Sequence, residues 1–180
     1  MPLYHFSEDP GIRLFEPHVV PTSLESAPFV WAIDAWHAPM YYLPRDCPRA
    51  CFWPGPRTTP EDRERWFAGI EARMVIAVET DWLPAIRGTT LYRYTMPEAT
   101  FRMNDATAGH WVSEQSIAPL AVEPVGDLLT ALLAASVELR VTPKLVDMWK
   151  LVIESTLEFS GTRLRNARGF REVFSERSGP

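Results

Sequence analysis

Phe29-Val30-Trp31-Ala32-Ile33-Asp34 is the stretch that decides the fold of this chain. Residues 29–33 form an apolar run too short for a helix and too unbroken for a strand with one wet face. They read as a buried central strand. Asp34 falls where that strand gives way to a turn or short helix, and His37, Tyr41 and Tyr42 follow it. A polar group in such a place must be hydrogen-bonded or used.

Working outward, residues 4–6 read as a first short strand closed by the turn Asp9-Pro10-Gly11, and residues 50–53 as a third strand. Seventeen prolines are many for 180 residues, and eleven lie at or before Pro60. Proline suits neither helix interiors nor central strands, so this region should be short strands joined by ordered turns. Thr59-Pro60-Glu61-Asp62 is a helix start with a capping hydroxyl, proline in the first turn and acids at the positive end. The helix should run to about residue 72. Residues 74–79, 90–95 and 110–113 read as strands, with a helical turn at 82–86 and a Gly109 turn before the last of them. Leu128, Leu129, Leu132 and Leu133 form a helical stripe. Thr142-Pro143 repeats the cap-then-proline signal before Leu145, Met148, Trp149, Val152, Ile153 and Leu157, a helix that Gly161 should end. From Arg163 onward the chain carries five arginines and reads as surface. The expectation is one α+β domain over residues 1–165: a mixed, mainly antiparallel sheet core in the first two-thirds, C-terminal helices packed on it, and a surface tail at 166–180.

At 46% hydrophobic the chain is globular. A net charge of −5 without a long basic run argues against an extended nucleic-acid surface. Cys47 and Cys51 lack the second pair that a zinc site needs, and read as reduced thiols. No signal-peptide pattern opens the chain, and its longest apolar stretch, 128–137, is too short to span a bilayer, so a cytoplasmic protein without a membrane partner is expected.

Four constellations could carry chemistry. On strand alternation His5 and Ser7 project together while Tyr4 and Phe6 pack on the other side. An imidazole and a hydroxyl so placed can hold a ribose or phosphate; equally, a backbone carbonyl can satisfy His5. Trp31, His37 and Tyr41 can line an aromatic pocket for a flat ring; equally, Asp34 is an N-cap and the tyrosines are half-buried core. Arg45 and Arg49, in the loop Pro44-Arg45-Asp46-Cys47-Pro48-Arg49, can grip a phosphate or carboxylate, or form a surface network with Asp46. Glu114, after His110-Trp111-Val112-Ser113, stands where a strand end can present a catalytic acid, or is an exposed turn residue. No His-x3-His or His-x-His spacing links His5, His37 and His110, so no metal is expected.

The motifs Tyr4-His5-Phe6-Ser7-Glu8-Asp9-Pro10, Val30-Trp31-Ala32-Ile33-Asp34 and Pro44-Arg45-Asp46-Cys47-Pro48-Arg49 resemble those of a bacterial family of uncharacterised proteins. More distantly, the layout resembles the ADP-ribosyltransferase-like fold, which includes the RNA 2′-phosphotransferases. That resemblance implies His5 holding a ribose, Tyr41 or Tyr42 stacking on nicotinamide, Glu114 completing the site, and NAD as substrate. The chain departs from that pattern in lacking a Ser-Thr-Ser strand and a paired acid. Three functions follow: a nucleotide-binding module or transferase of that type, with His5 and Glu114 catalytic; a non-catalytic domain that binds a small molecule in an aromatic cleft; and an interaction protein whose aromatic surface meets a protein partner.

Overall fold

Uninterrupted apolar runs become central strands, and the exposed stretches around them become edges. The computed structural model describes residues 1–19 and 27–174; Pro21 and tail residues 175–180 lie outside them. In chain order the elements are β1 (Leu3–Ser7), β2 (Val30–Asp34), β3 (Arg49–Trp53), α1 (Pro60–Phe67), β4 (Met74–Glu79), α2 (Leu83–Gly88), β5 (Tyr92–Met96), β6 (Arg102–Asp105), β7 (His110–Ser113), β8 (Ala121–Pro124), α3 (Leu128–Ala134), β9 (Val137–Thr142), α4 (Leu145–Ile153), β10 (Glu158–Thr162) and α5 (Phe170–Phe174). The fold is α+β, with two mostly antiparallel sheets. Among the described residues no helix is long and apolar enough to cross a membrane.

Two compact units are built from alternating segments: Met1–Tyr42 with Thr90–Asp127, and Leu43–Thr89 with Leu128–Pro180. The first unit holds a six-stranded sheet in the order β6-β7-β2-β1-β5-β8, every neighbour antiparallel. Register settles its two faces, because residues paired across strands share a side. Leu3 pairs with Met96, His5 with Tyr94, and Ala32 with Trp111. That face carries the core: Leu3, Val30, Ala32, Tyr94 and Met96 pack with Phe15, Phe101 and Ile117. Tyr4 pairs with Ile33 and with Thr95, Phe6 with Arg93, Trp31 with Val112, and Ile33 with His110, so these residues share the other face.

The second unit holds a four-stranded sheet in the order β10-β3-β4-β9, antiparallel except for β4 with β9. Strands β3 and β4 are buried at every residue, as continuous apolar runs require. On one side Phe52, Val75 and Ala77 pack with Trp66 and Phe67 of α1 and Leu145, Val146 and Val152 of α4.

Several boundaries differ from the sequence reading, each for a local reason. Helix α1 has the expected cap, Thr59 Oγ1 accepting from Asp62 N at 3.2 Å, but it ends at Phe67 rather than near residue 72. Gly69 at φ 68° turns the chain, and Ile70 N–H closes back on the Phe67 carbonyl. The stripe that begins at Leu128 stops at Ala134 because Ser136 is left-handed at φ 56°, and residues 137–142 become β9 beside β4. Thr142 therefore ends a strand instead of capping a helix. The free N–H of Leu145 is met by the Glu79 carboxylate at 3.1 Å. Gly161 does not end α4; it lies inside β10 opposite Ala50, where a Cβ would come within 2.8 Å of the Trp149 ring and 2.5 Å of Leu164.

Candidate functional site

Polar chemistry in the first unit gathers where β2 ends. Asp34 is the last residue of β2 and is nearly buried, as is His37 in the turn that follows. Asp34 Oδ1 accepts from the His37 backbone N–H at 2.9 Å, an Asx-type cap that sets the turn into the 3-10 helix Ala38–Tyr41. The same carboxylate lies 2.9 Å from His37 Nδ1 through both oxygens. A ring held by Nδ1 against a carboxylate has its orientation and tautomer fixed, and its Nε2 edge is the one turned away from the carboxylate. The Trp36 ring packs edge-on against it, with centroids 4.5 Å apart.

Gly109 is what lets this pair form. It is left-handed at φ 68°, and its carbonyl accepts the Asp34 backbone N–H at 3.1 Å. A Cβ there would overlap the His37 ring and lie 2.6 Å from Asp34 Oδ2. The next residue, His110, begins β7, and its Nε2 meets the Tyr41 hydroxyl at 2.9 Å. Burial depresses the His110 pKa below the ordinary histidine value; His37 adds to the depression, and Asp105 and Asp34 oppose it. At neutral pH His110 is therefore a neutral ring, and its Nε2 shares a hydrogen bond with the Tyr41 hydroxyl. Asp34–His37 and Tyr41–His110 are thus two hydrogen-bonded pairs, close enough for the charges of Asp34 and His37 to act on His110.

Aromatic rings flank the Tyr41–His110 pair on the face of the sheet that carries His110. Trp31 meets His110 edge-on at 5.8 Å. Phe6 stacks parallel to Tyr41 at 6.4 Å and meets Tyr42 at 5.4 Å. The Arg93 guanidinium lies 4.9 Å from the Tyr4 ring centre. Tyr4, Phe6, Trp31, Tyr41 and Tyr42 are each half-buried, so the face presents rings without closing over them.

The structure brings Trp31 and Tyr41 together at His110, while His37 pairs with Asp34. It places the other candidates apart from them. His5 lies on the core-bearing face: its Nδ1 meets the Trp31 carbonyl at 2.9 Å and its ring packs on Phe15 at 4.7 Å. Ser7 ends β1, and its hydroxyl accepts the Asp9 N–H in a turn. Glu114 lies one residue beyond β7 with its side chain 74% exposed, 3.9 Å from Arg102. Arg45 and Arg49 belong to the second unit. Arg49 is 2% exposed and donates to the carbonyls of Pro44 and Cys47, which makes it a brace for that loop. Cys47 and Cys51 are buried, and burial pushes both thiols up to about 12, so neither is a nucleophile at neutral pH.

Sequence reasoning took up His110 only in the stretch before Glu114 and as a metal ligand, and passed over Tyr4, Phe6 and Arg93 as site residues. Strand alternation separated His5 from Tyr4 and Phe6 correctly, but nothing local says which side the core will cover. The Gly109-His110 step was the available signal: a glycine beside a histidine at a strand start marks a close backbone approach.

The family of unknown function DUF6886 matches residues 4–167, and the chain belongs to it. No curated protein and no solved structure matches the chain.

Proposed function

We propose that the first unit binds a small molecule with a flat ring, of nucleotide type, on the face that carries Tyr4, Phe6, Trp31 and Tyr41. The observation that carries this reading is the joining of half-buried rings to the Tyr41–His110 hydrogen bond on that face. Rings offer stacking area at low entropic cost, and the imidazole and hydroxyl supply the few placed polar groups that orient a ligand. NAD and ADP-ribose are the ligands that the sequence resemblance brings forward. Transfer chemistry of the ADP-ribosyl type would draw on His5 and Glu114. Neither stands in the Tyr41–His110 cluster, so the geometry favours binding over transfer.

Thermal shift against NAD, ADP-ribose, AMP and nicotinamide tests this, because a ligand of the folded state raises the melting point by mass action. We expect a rise with at least one of them that Tyr41→Phe and Trp31→Leu reduce. No rise with any, or a rise that both variants keep, contradicts the reading. His5→Ala is the informative companion. Loss of the ligand response at an unchanged melting point would assign His5 the ribose role. Lost stability with the response retained would leave His5 to the fold.

A further inference from the structure

Strand register carries a guanidinium onto the ring-bearing face of the first unit. Arg93 of β5 pairs with Phe6, and Tyr4 shares that side of β1 with Phe6. The Arg93 guanidinium stands 4.9 Å from the Tyr4 ring centre, and Tyr4 and Phe6 are 6.4 Å apart. Phe6 in turn meets both Tyr41 and Tyr42. A line of rings therefore runs from the Tyr41–His110 pair to Arg93.

Glu123 fixes the orientation of that guanidinium. It lies opposite Arg93 on β8, and its Oε1 accepts from Nε at 3.1 Å and from Nη2 at 2.6 Å. One carboxylate oxygen thus takes the Nε–Nη2 edge, and the Tyr4 ring restrains the group further. The guanidinium makes no other hydrogen bond among the described residues, and its side chain is 34% exposed, so the Nη1–Nη2 edge is within reach of a ligand. Two parallel donors on that edge match the oxygens of a phosphate. Arg102, opposite Val112, is on the same side of the sheet but is set differently. It is exposed, packs on Phe29 at 5.2 Å and lies 3.9 Å from Glu114.

We infer that the ligand of this face is a nucleoside phosphate, its ring beside Trp31 and Tyr41 and its phosphate on the free edge of Arg93. Spacing selects this class. Sheet order puts β1 between β2, which carries Trp31, and β5, which carries Arg93. Neighbouring strands lie about 4.8 Å apart, so about 10 Å of sheet separates the two residues. A bare ring such as nicotinamide does not reach both; a ring joined to a phosphate through a pentose does. The inference rests on the ring-binding reading of the same face and adds the charged group that the rings do not select.

Calorimetric titration tests it with two pairs of probes that differ only by the phosphate: adenosine with AMP, and nicotinamide riboside with nicotinamide mononucleotide, at constant ionic strength. In the wild type the phosphate should strengthen binding about tenfold in at least one pair. Arg93→Gln should abolish that gain and leave the affinity for the nucleoside unchanged. Trp31→Leu should weaken both members of the pair by the same factor, and Arg102→Gln should leave the gain intact. The readout is a ratio of two affinities within one variant, so a loosened pairing of β5 with β8 does not move it. Arg93→Lys keeps a charge for Glu123 but lacks the fork; it should retain only part of the gain, and it serves if Arg93→Gln does not fold. A nucleoside bound as tightly as its nucleotide, a gain that both Arg93 variants keep in full, or a gain that Arg102→Gln removes would each overturn the inference while leaving the ring-binding reading in place. Binding of none of the four probes would remove that reading, and this inference with it.

Discussion

Gly109 is the residue on which the polar cluster turns. Its left-handed φ disfavours any side chain, and a methyl group would overlap His37 and crowd Asp34. Gly109→Ala should cost about 3 kcal/mol in urea unfolding, strain and overpacking together. Gly69→Ala, at the same φ but with nothing within 4 Å of the added carbon, should cost about 1 kcal/mol. Equal costs would mean that the Asp34–His37 pair gives way easily and is not held as described. His110 supplies the pH dependence. Unfolded, it protonates near pH 6.5; folded, its pKa is lower. Between the two values the unfolded chain binds more protons, so stability falls as pH drops below about 6.5 and is unaffected above it. Unfolding midpoints at pH 7.5 and 5.5 should differ less in His110→Gln than in the wild type; an unchanged difference would remove His110 as the cause. At this scale the Asp34-x-x-His37 spacing was legible as a cap with chemical potential. The partner of His110 was not, because Tyr41 comes to it across 69 residues of chain.

Among the elements, α4 shows how a helix start can be set from elsewhere. Lys144 stands at its N-cap without a side-chain cap, and the buried Glu79 at the end of β4 accepts from Leu145 N and from Arg168 N. Glu79→Ala should destabilise the protein by about 2–3 kcal/mol, and Glu79→Gln by less, since one carbonyl oxygen remains to accept. Guanidinium denaturation of the two variants measures this, and indistinguishable variants would show that the carboxylate does not cap α4. Strands β2, β3 and β4 were readable in the sequence because they carry apolar runs. Strand β8 was not: all four of its residues are exposed, so it has no alternation to read. Strands β9 and β10 were hidden for a different reason. Each continues a helical stripe, and only the left-handed Ser136 and the close packing at Gly161 break the pattern.

For the whole molecule, the chain passes from the first unit to the second, back, and over again. The α+β class followed from composition and the order of strands and helices. The segment partition did not, because the polar and proline-bearing stretches at the crossings, 39–48, 87–90 and 123–127, read like the other turns of the chain. The candidate face inherits this: Trp31 and Tyr41 are close in sequence and meet at His110, whereas the side of the sheet that the core covers is settled by Phe15, Phe101 and Ile117 from three distant segments. The four histidines sort by position. His37 and His110 lie in the polar cluster beside the aromatic face, His5 is on the opposite, core-bearing face, and His18 is at an outlying bridge to Phe29. The most direct test is therefore an NMR titration of ring-labelled histidines with ADP-ribose and nicotinamide mononucleotide. The account predicts that the His37 and His110 resonances move together while His18 stays fixed. Movement of His5 alone, or of none of the four, would contradict it.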